Sequence, residues 1–133
     1  VNFGRTLFAQ VMDFVPWTSF DRIVAKYGGD VRVRNLRCAE QFRIMSFAQV
    51  TYRESLRDIE ACPGACPSKL YGMGLRGAVA KSTLADANER RDWRIWFDIA
   101  AVLIRRAHKL YAEDDFGLDL KNTVYALDRT TID

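Results

Sequence analysis

No apolar run in these 133 residues approaches the ~18–20 residues that cross a bilayer as a helix, so a membrane span is excluded at the outset. Nor does the start of the chain read as a secretory signal: Arg5 and Asp13 interrupt its apolar stretch, and no small-residue cleavage site follows. Cysteine is scarce and odd in number, with Cys38, Cys62 and Cys66 alone. That excludes a disulfide-built scaffold and suits a reducing cytosol. Cys62 and Cys66 form a C-x₃-C pair, but the other N/S ligands on offer are the distant Cys38 and the single His108. Structural zinc wants four such ligands in close pairs, so no zinc is expected and the thiols read as buried or loop residues. His108, set among Arg105, Arg106 and Lys109, reads as a polar-face residue rather than a catalyst. Internal repeats are also absent.

What is present is enough for about one ordinary domain. Apolar residues make up 49% and charged residues 28%, which argues against disorder and for a buried core. The net charge of +3 hides an asymmetry. Residues 1–112 hold 18 Lys and Arg against 11 Asp and Glu, whereas residues 113–133 hold 2 against 6. Fifteen of the 20 basic residues are Arg, which grips phosphate bidentately and so favours an anionic polymer as partner. Arg serving as ordinary surface is the alternative reading of the same bias.

Helical periodicity dominates. Phe3, Leu7, Phe8, Val11, Met12 and Phe14 predict a helix over 2–14, ended by Pro16. Ser19 is expected to cap a second helix carrying Phe20, Ile23, Val24 and Tyr27, stopped by Gly28 and Gly29. VRVRNLR (31–37) reads as a short edge strand or an extended basic loop. Helical spacing returns from Cys38 to Val50. Thr51 and Glu54 then form a predicted capping box for a helix with Leu56 and Ile59 inward. Pro63, Gly64 and Pro67 break the chain, and 67–77 reads as one helical turn followed by a Gly-rich loop. Ser82 or Thr83 caps the next start. The longest helix is expected from about Asp92 to Ala112, with Trp93, Trp96, Phe97, Ala100, Ile104, Ala107 and Tyr111 as its core stripe. Over 123–127 the β-branched and aromatic run TVYAL has strand chemistry and ends on Asp128.

Five blocks, NFGRTLFAQVMDF, TYRESLRDIEAC, PSKLYGMGLRG, STLADANERRDWRIW and YALDRTTID, together resemble the N-terminal part of bacterial insertion-sequence transposases of the DDE class, fourth insertion-sequence family. The resemblance spans essentially the whole chain. It implies a mainly α fold: a helical DNA-binding and assembly bundle over 1–115, then the first β-strand of a ribonuclease-H-like domain over 116–133, truncated before the rest of that domain. It also implies DNA transposition by metal-dependent strand cleavage and transfer, in the cytoplasm of a bacterium, at the nucleoid. The matching first acid of the catalytic triad is Asp128, and the implied cofactor is Mg²⁺ held by it. Two further acids are needed for two ions, so this chain alone is expected to be inactive. Arg129 stands where the family has a small hydroxyl residue, and ACPGACPSKL departs from the family's apolar text. Both departures fit a truncated or decaying gene copy.

The expected partner is double-stranded DNA at the terminal inverted repeats. Leu56 to Arg91 has the layout of a degenerate helix-turn-helix, with a linker of about 18 residues against the usual 3–4. Lys81, Ser82 and Thr83 open its second helix, where backbone N–H groups favour phosphate, and Asn88, Arg90 and Arg91 follow. A capped core helix with a solvated charged face is the other reading. Arg32, Arg34 and Arg37 form a second basic group, suited either to tracking a DNA backbone or to guarding a strand edge. An inactive fragment that self-associates, or pairs with and represses intact transposase, is the alternative function.

Overall fold

The computed structural model describes residues 7–53, 55–65 and 67–112, with backbone alone over 62–65 and 67–69. Among the described residues seven α-helices follow in order: α1 (Leu7–Met12), α2 (Trp17–Lys26), α3 (Cys38–Val50), α4 (Leu56–Ala65), α5 (Pro67–Gly72), α6 (Lys81–Arg90) and α7 (Trp93–Tyr111). No strand occurs among the described residues. The predicted strand at 123–127 and Asp128 lie outside them, as does the predicted boundary near residue 115.

Pro16 rather than Ser19 sets the start of α2. Its carbonyl accepts the N–H of Phe20 at 3.0 Å, and Ser19 lies inside the first turn without a capping bond. The indole of Trp17 donates to the Met12 carbonyl at 3.0 Å, closing the corner between α1 and α2. At the other end Gly28, at φ +64°, donates to the Ala25 carbonyl, and Gly29 donates to that of Val24. This is the paired Schellman closure, so the predicted Gly stop holds.

Residues 31–37 are not a strand. Arg32 sits at φ +60°, which breaks the extended geometry that would put Arg32 and Arg34 on one face. The segment is instead a tight loop. Val31 bonds back to the Gly28 carbonyl and Val33 to that of Asp30, while the Asp30 carboxylate accepts the Cys38 N–H at 2.7 Å.

The predicted Thr51–Glu54 capping box is displaced. Thr51 closes α3, its hydroxyl donating to the Phe47 carbonyl at 2.7 Å, and Glu54 is outside the described residues. Ser55 caps α4 instead: its Oγ accepts the Asp58 N–H at 3.2 Å and its hydroxyl donates to Asp58 Oδ2 at 2.8 Å. Thr51 had the right spacing, but α3 keeps enough helical sequence to run up to it. The predicted break at Pro63 also fails. The helix α4 passes through Pro63 and Gly64 to Ala65, and Pro67 opens α5, where the first turn needs no N–H from it.

The core joins Phe20 and Val24 of α2, Cys38, Ile44 and Ala48 of α3, Leu84 of α6, and Ile95 and Ile99 of α7. Here the predicted aromatic stripe of α7 is corrected. The fully buried residues are Ile95 and Ile99, with Trp96 and Leu103 packed partly against the core. Trp93, Phe97, Ala100, Ile104, Ala107 and Tyr111 are exposed. Gly29 explains the choice. A Cβ there would stand 2.6 Å from Ile95 Cδ1 and 2.8 Å from Cys38 Sγ, so α7 seats Ile95 against bare backbone. Among the described residues no helix is long and apolar enough to cross a membrane.

Candidate nucleic-acid interface

The segments that carry the two basic groups predicted from the sequence, some fifty residues apart, form the walls of one groove of about 420 Å³, and of the predicted residues Thr83, Arg90 and Arg91 line it. Val31, Val33, Asn35 and Leu36 line one wall, and Thr83, Asp86, Ala87, Arg90 and Arg91 line the other. Arg32 and Arg34 alternate with the lining residues of the loop and are exposed, as is Arg37 just before α3. On α6, Leu84 alone is fully buried, while Lys81, Ser82 and Arg90 are exposed and Thr83 is half-buried.

Arg91 and Asn88 are placed differently from the rest. The Arg91 side chain is only 7% exposed. Its guanidinium donates to the Leu36 carbonyl and to Gln41 Oε1, and lies 3.9 Å from Asp30 Oδ1. Asn88 Oδ1 accepts from Gln41 Nε2 at 2.6 Å. Gln41, nearly fully buried, thus bridges α3 to the end of α6. These bonds hold the 28–37 loop against α6. Sequence reasoning missed Gln41, because a glutamine inside a helical run carries no signal of burial.

The start of α6 has no side-chain cap. Ala80 occupies the N-cap position, so Ser82 and Thr83 lie inside the first turn rather than capping it. The Lys81 N–H is taken by Glu60 Oε1 at 3.1 Å, so a carboxylate of α4 already sits on the positive end of α6. Helices α4 and α6 do pack on each other, as the helix-turn-helix layout expects, but α5 and the 73–80 loop lie between them in the chain. Asp86 brings negative charge into the groove, whereas Asp92 is bound by Arg94 at 2.6 Å, which also holds its carboxyl below the usual range. The exposed cations therefore stand mainly round the rim.

Among the described residues no three of His, Cys, Asp and Glu gather closely enough to hold a metal ion. Asp128 and the Cys62 and Cys66 side chains lie outside that description. Burial pushes the Cys38 thiol up to about 12, so at neutral pH it stays protonated. His108 is exposed on α7.

A family model described as a domain of unknown function, DUF4372, matches residues 3–76. Comparison with curated proteins and with solved structures found no match.

Proposed function

We propose, for a chain that belongs to the DUF4372 family, that it is the DNA-binding and assembly module of an insertion-sequence transposase and grips double-stranded DNA at the terminal inverted repeats. The observation that carries this reading is the groove between the 31–36 loop and α6, lined by Arg90 and Arg91, with Arg32, Arg34 and Lys81 exposed on the segments that form it. The block-by-block resemblance to insertion-sequence transposases supports it. In this reading Arg32, Arg34, Arg37 and Lys81 neutralise phosphates, and Ser82, Thr83 and Arg90 contact the duplex from α6. Arg91 acts as a positioning residue, since its guanidinium is spent inside the fold, while Asn88, exposed on α6, gives its Oδ1 to Gln41. Mg²⁺ chemistry at Asp128 belongs to the family resemblance. The competing reading is an inactive fragment that associates with intact transposase without reading DNA.

Fluorescence anisotropy with a cognate inverted-repeat duplex and a scrambled one, between ~50 and ~200 mM salt, separates the two. Cognate DNA is expected to bind more tightly. Replacing Arg32, Arg34, Lys81 and Arg90 together with Ala should weaken binding at least ~10-fold and reduce the slope of log K against log salt by up to about 3, with the melting temperature unchanged. Arg91→Ala should lower the melting temperature instead, because it leaves Gln41 Oε1 and the Leu36 carbonyl without the guanidinium. Equal affinity for both duplexes, or an unaltered salt slope in the quadruple variant, rejects the proposal.

A further inference from the structure

The helix α7 is apolar on two opposite sides, and only one of them is used by the core. Ile95 and Ile99 are buried. On the far side Trp93 is 68% exposed, Phe97 64%, Ile104 56% and Tyr111 59%, with exposed Ala100 and Ala107 between them. Their spacing runs 4, 3, 4, 3, 4, the alternation of an a/d seam in a coiled coil. At ~100° per residue all six fall within about 40° of one line along the helix, and Ile95 and Ile99 fall behind it. A surface helix with one partner carries polar residues there. The charges of α7 lie off the seam, Arg94, Asp98, Arg105 and Lys109 on one flank and Arg106 behind, on the side of Ile95 and Ile99.

The geometry points to a second copy of this chain as the occupant, docked antiparallel on the same seam. The residues are self-complementary about a twofold axis between Ala100 and Ile104. Antiparallel pairing sets Phe97 of one copy opposite Ala107 of the other, Ile104 opposite Ala100, and Trp93 opposite Tyr111, so large residues meet small ones except at the two ends. An isologous contact of this kind closes at two copies. Packing selects the direction: parallel helices would set Phe97 on Phe97 and Ala100 on Ala100, whereas antiparallel helices pair Phe97 with Ala107 and Ile104 with Ala100. The seam is about 27 Å long, a small interface, so the dimer is expected to be reversible and concentration-dependent. It forms whether or not the chain binds DNA, because it uses a different face from the groove.

Sedimentation equilibrium of the full chain without DNA tests this. The expected result is a monomer–dimer equilibrium that saturates at two. Phe97→Asp and Ile104→Glu should each weaken it at least about thirty-fold, with the helical circular dichroism of the parent chain, since both side chains are already exposed. Direction is read by oxidative cross-linking in a chain with Cys62 and Cys66 replaced by Ala. Ala101→Cys, close to the twofold axis on the flank, should cross-link, and Tyr111→Cys should not. A monomer at every concentration, an unaltered dimer in both charged variants, or cross-linking through residue 111 rather than 101 overturns the proposal.

Discussion

Glu40 is a charged residue held almost entirely out of water. Its Oε1 accepts from Arg76 Nε at 2.8 Å, and its Oε2 accepts from Arg76 Nη2 at 2.9 Å and from the Arg37 N–H at 3.0 Å. The Arg76 guanidinium beside it, followed by the N–H of Arg37, outweighs burial and holds the carboxyl below the usual range. A depressed folded value means that the stability it contributes is complete above the unfolded pKa of about 4.3 and is lost as pH falls through the folded one. Glu40→Gln should therefore cost about 1–2 kcal/mol at pH 7, discounted because the Arg76 side of the pair is solvated. That difference should shrink towards zero as the pH is lowered past the native carboxyl. Urea titrations of both chains at neutral and strongly acid pH check it, and a difference that ignores pH would falsify the assignment. The local half of this arrangement left no sequence signal, because the capping box is announced by Ser or Thr three residues before the acid and Arg37 is neither. The other half, Arg76, lies 36 residues away and left no local trace.

Helix ends decide the path of the chain between elements. Three of them close in the same way, with a left-handed residue and a pair of N–H groups returning to the last turn: Gly28 after α2, Tyr52 after α3 and Gly74 after α5. Glycine adopts these angles without steric cost, and a tyrosine at φ +55° does not. The Tyr52 side chain is also 91% exposed, so it returns little by packing. Tyr52→Gly is expected to stabilise the fold by about 0.5–1 kcal/mol and raise the melting temperature by a few degrees. A lower melting temperature in calorimetry would show that Tyr52 makes a contact worth more than its backbone strain. Gly28 was readable as a stop because glycine is the usual residue there. Tyr52 was not, and its neighbour Thr51 invited the wrong element, since its side chain serves α3 through the Phe47 carbonyl.

At the level of the whole molecule, the family match ends at residue 76, but the core does not. Ile95 and Ile99 pack into the same cluster as Phe20 and Val24, and Leu84 joins it from α6. Helix α7 is also tied to α2 by the Tyr27 hydroxyl donating to Asp98 at 2.8 Å and by Lys26 at 3.2 Å. A fragment covering residues 1–76 would expose the α2–α3 side of this core and lose Arg91 from beneath the loop. It should show no cooperative thermal transition, whereas a fragment covering 1–112 should unfold in one step. Matched calorimetric scans of the two decide it, and a cooperative melt of the shorter chain would show that the matched region folds alone.

Local chemistry was sufficient for most of the helices and their order. Periodicity, Pro16, the paired Gly28 and Gly29, and the Asp92 cap all act within a few residues, where sequence spacing is also spatial distance. The same is true of which residues are cationic. Tertiary structure alone decided which face of α7 is inside, because both faces satisfy helical periodicity and only the space over Gly29 favours Ile95. It also separated Arg90 from Arg91, adjacent residues of identical chemistry. One is exposed at the groove, and the other is buried beneath the loop by partners at Leu36 and Gln41. Helix spacing turns neighbouring side chains ~100° apart, and what each then meets depends on segments fifty residues away.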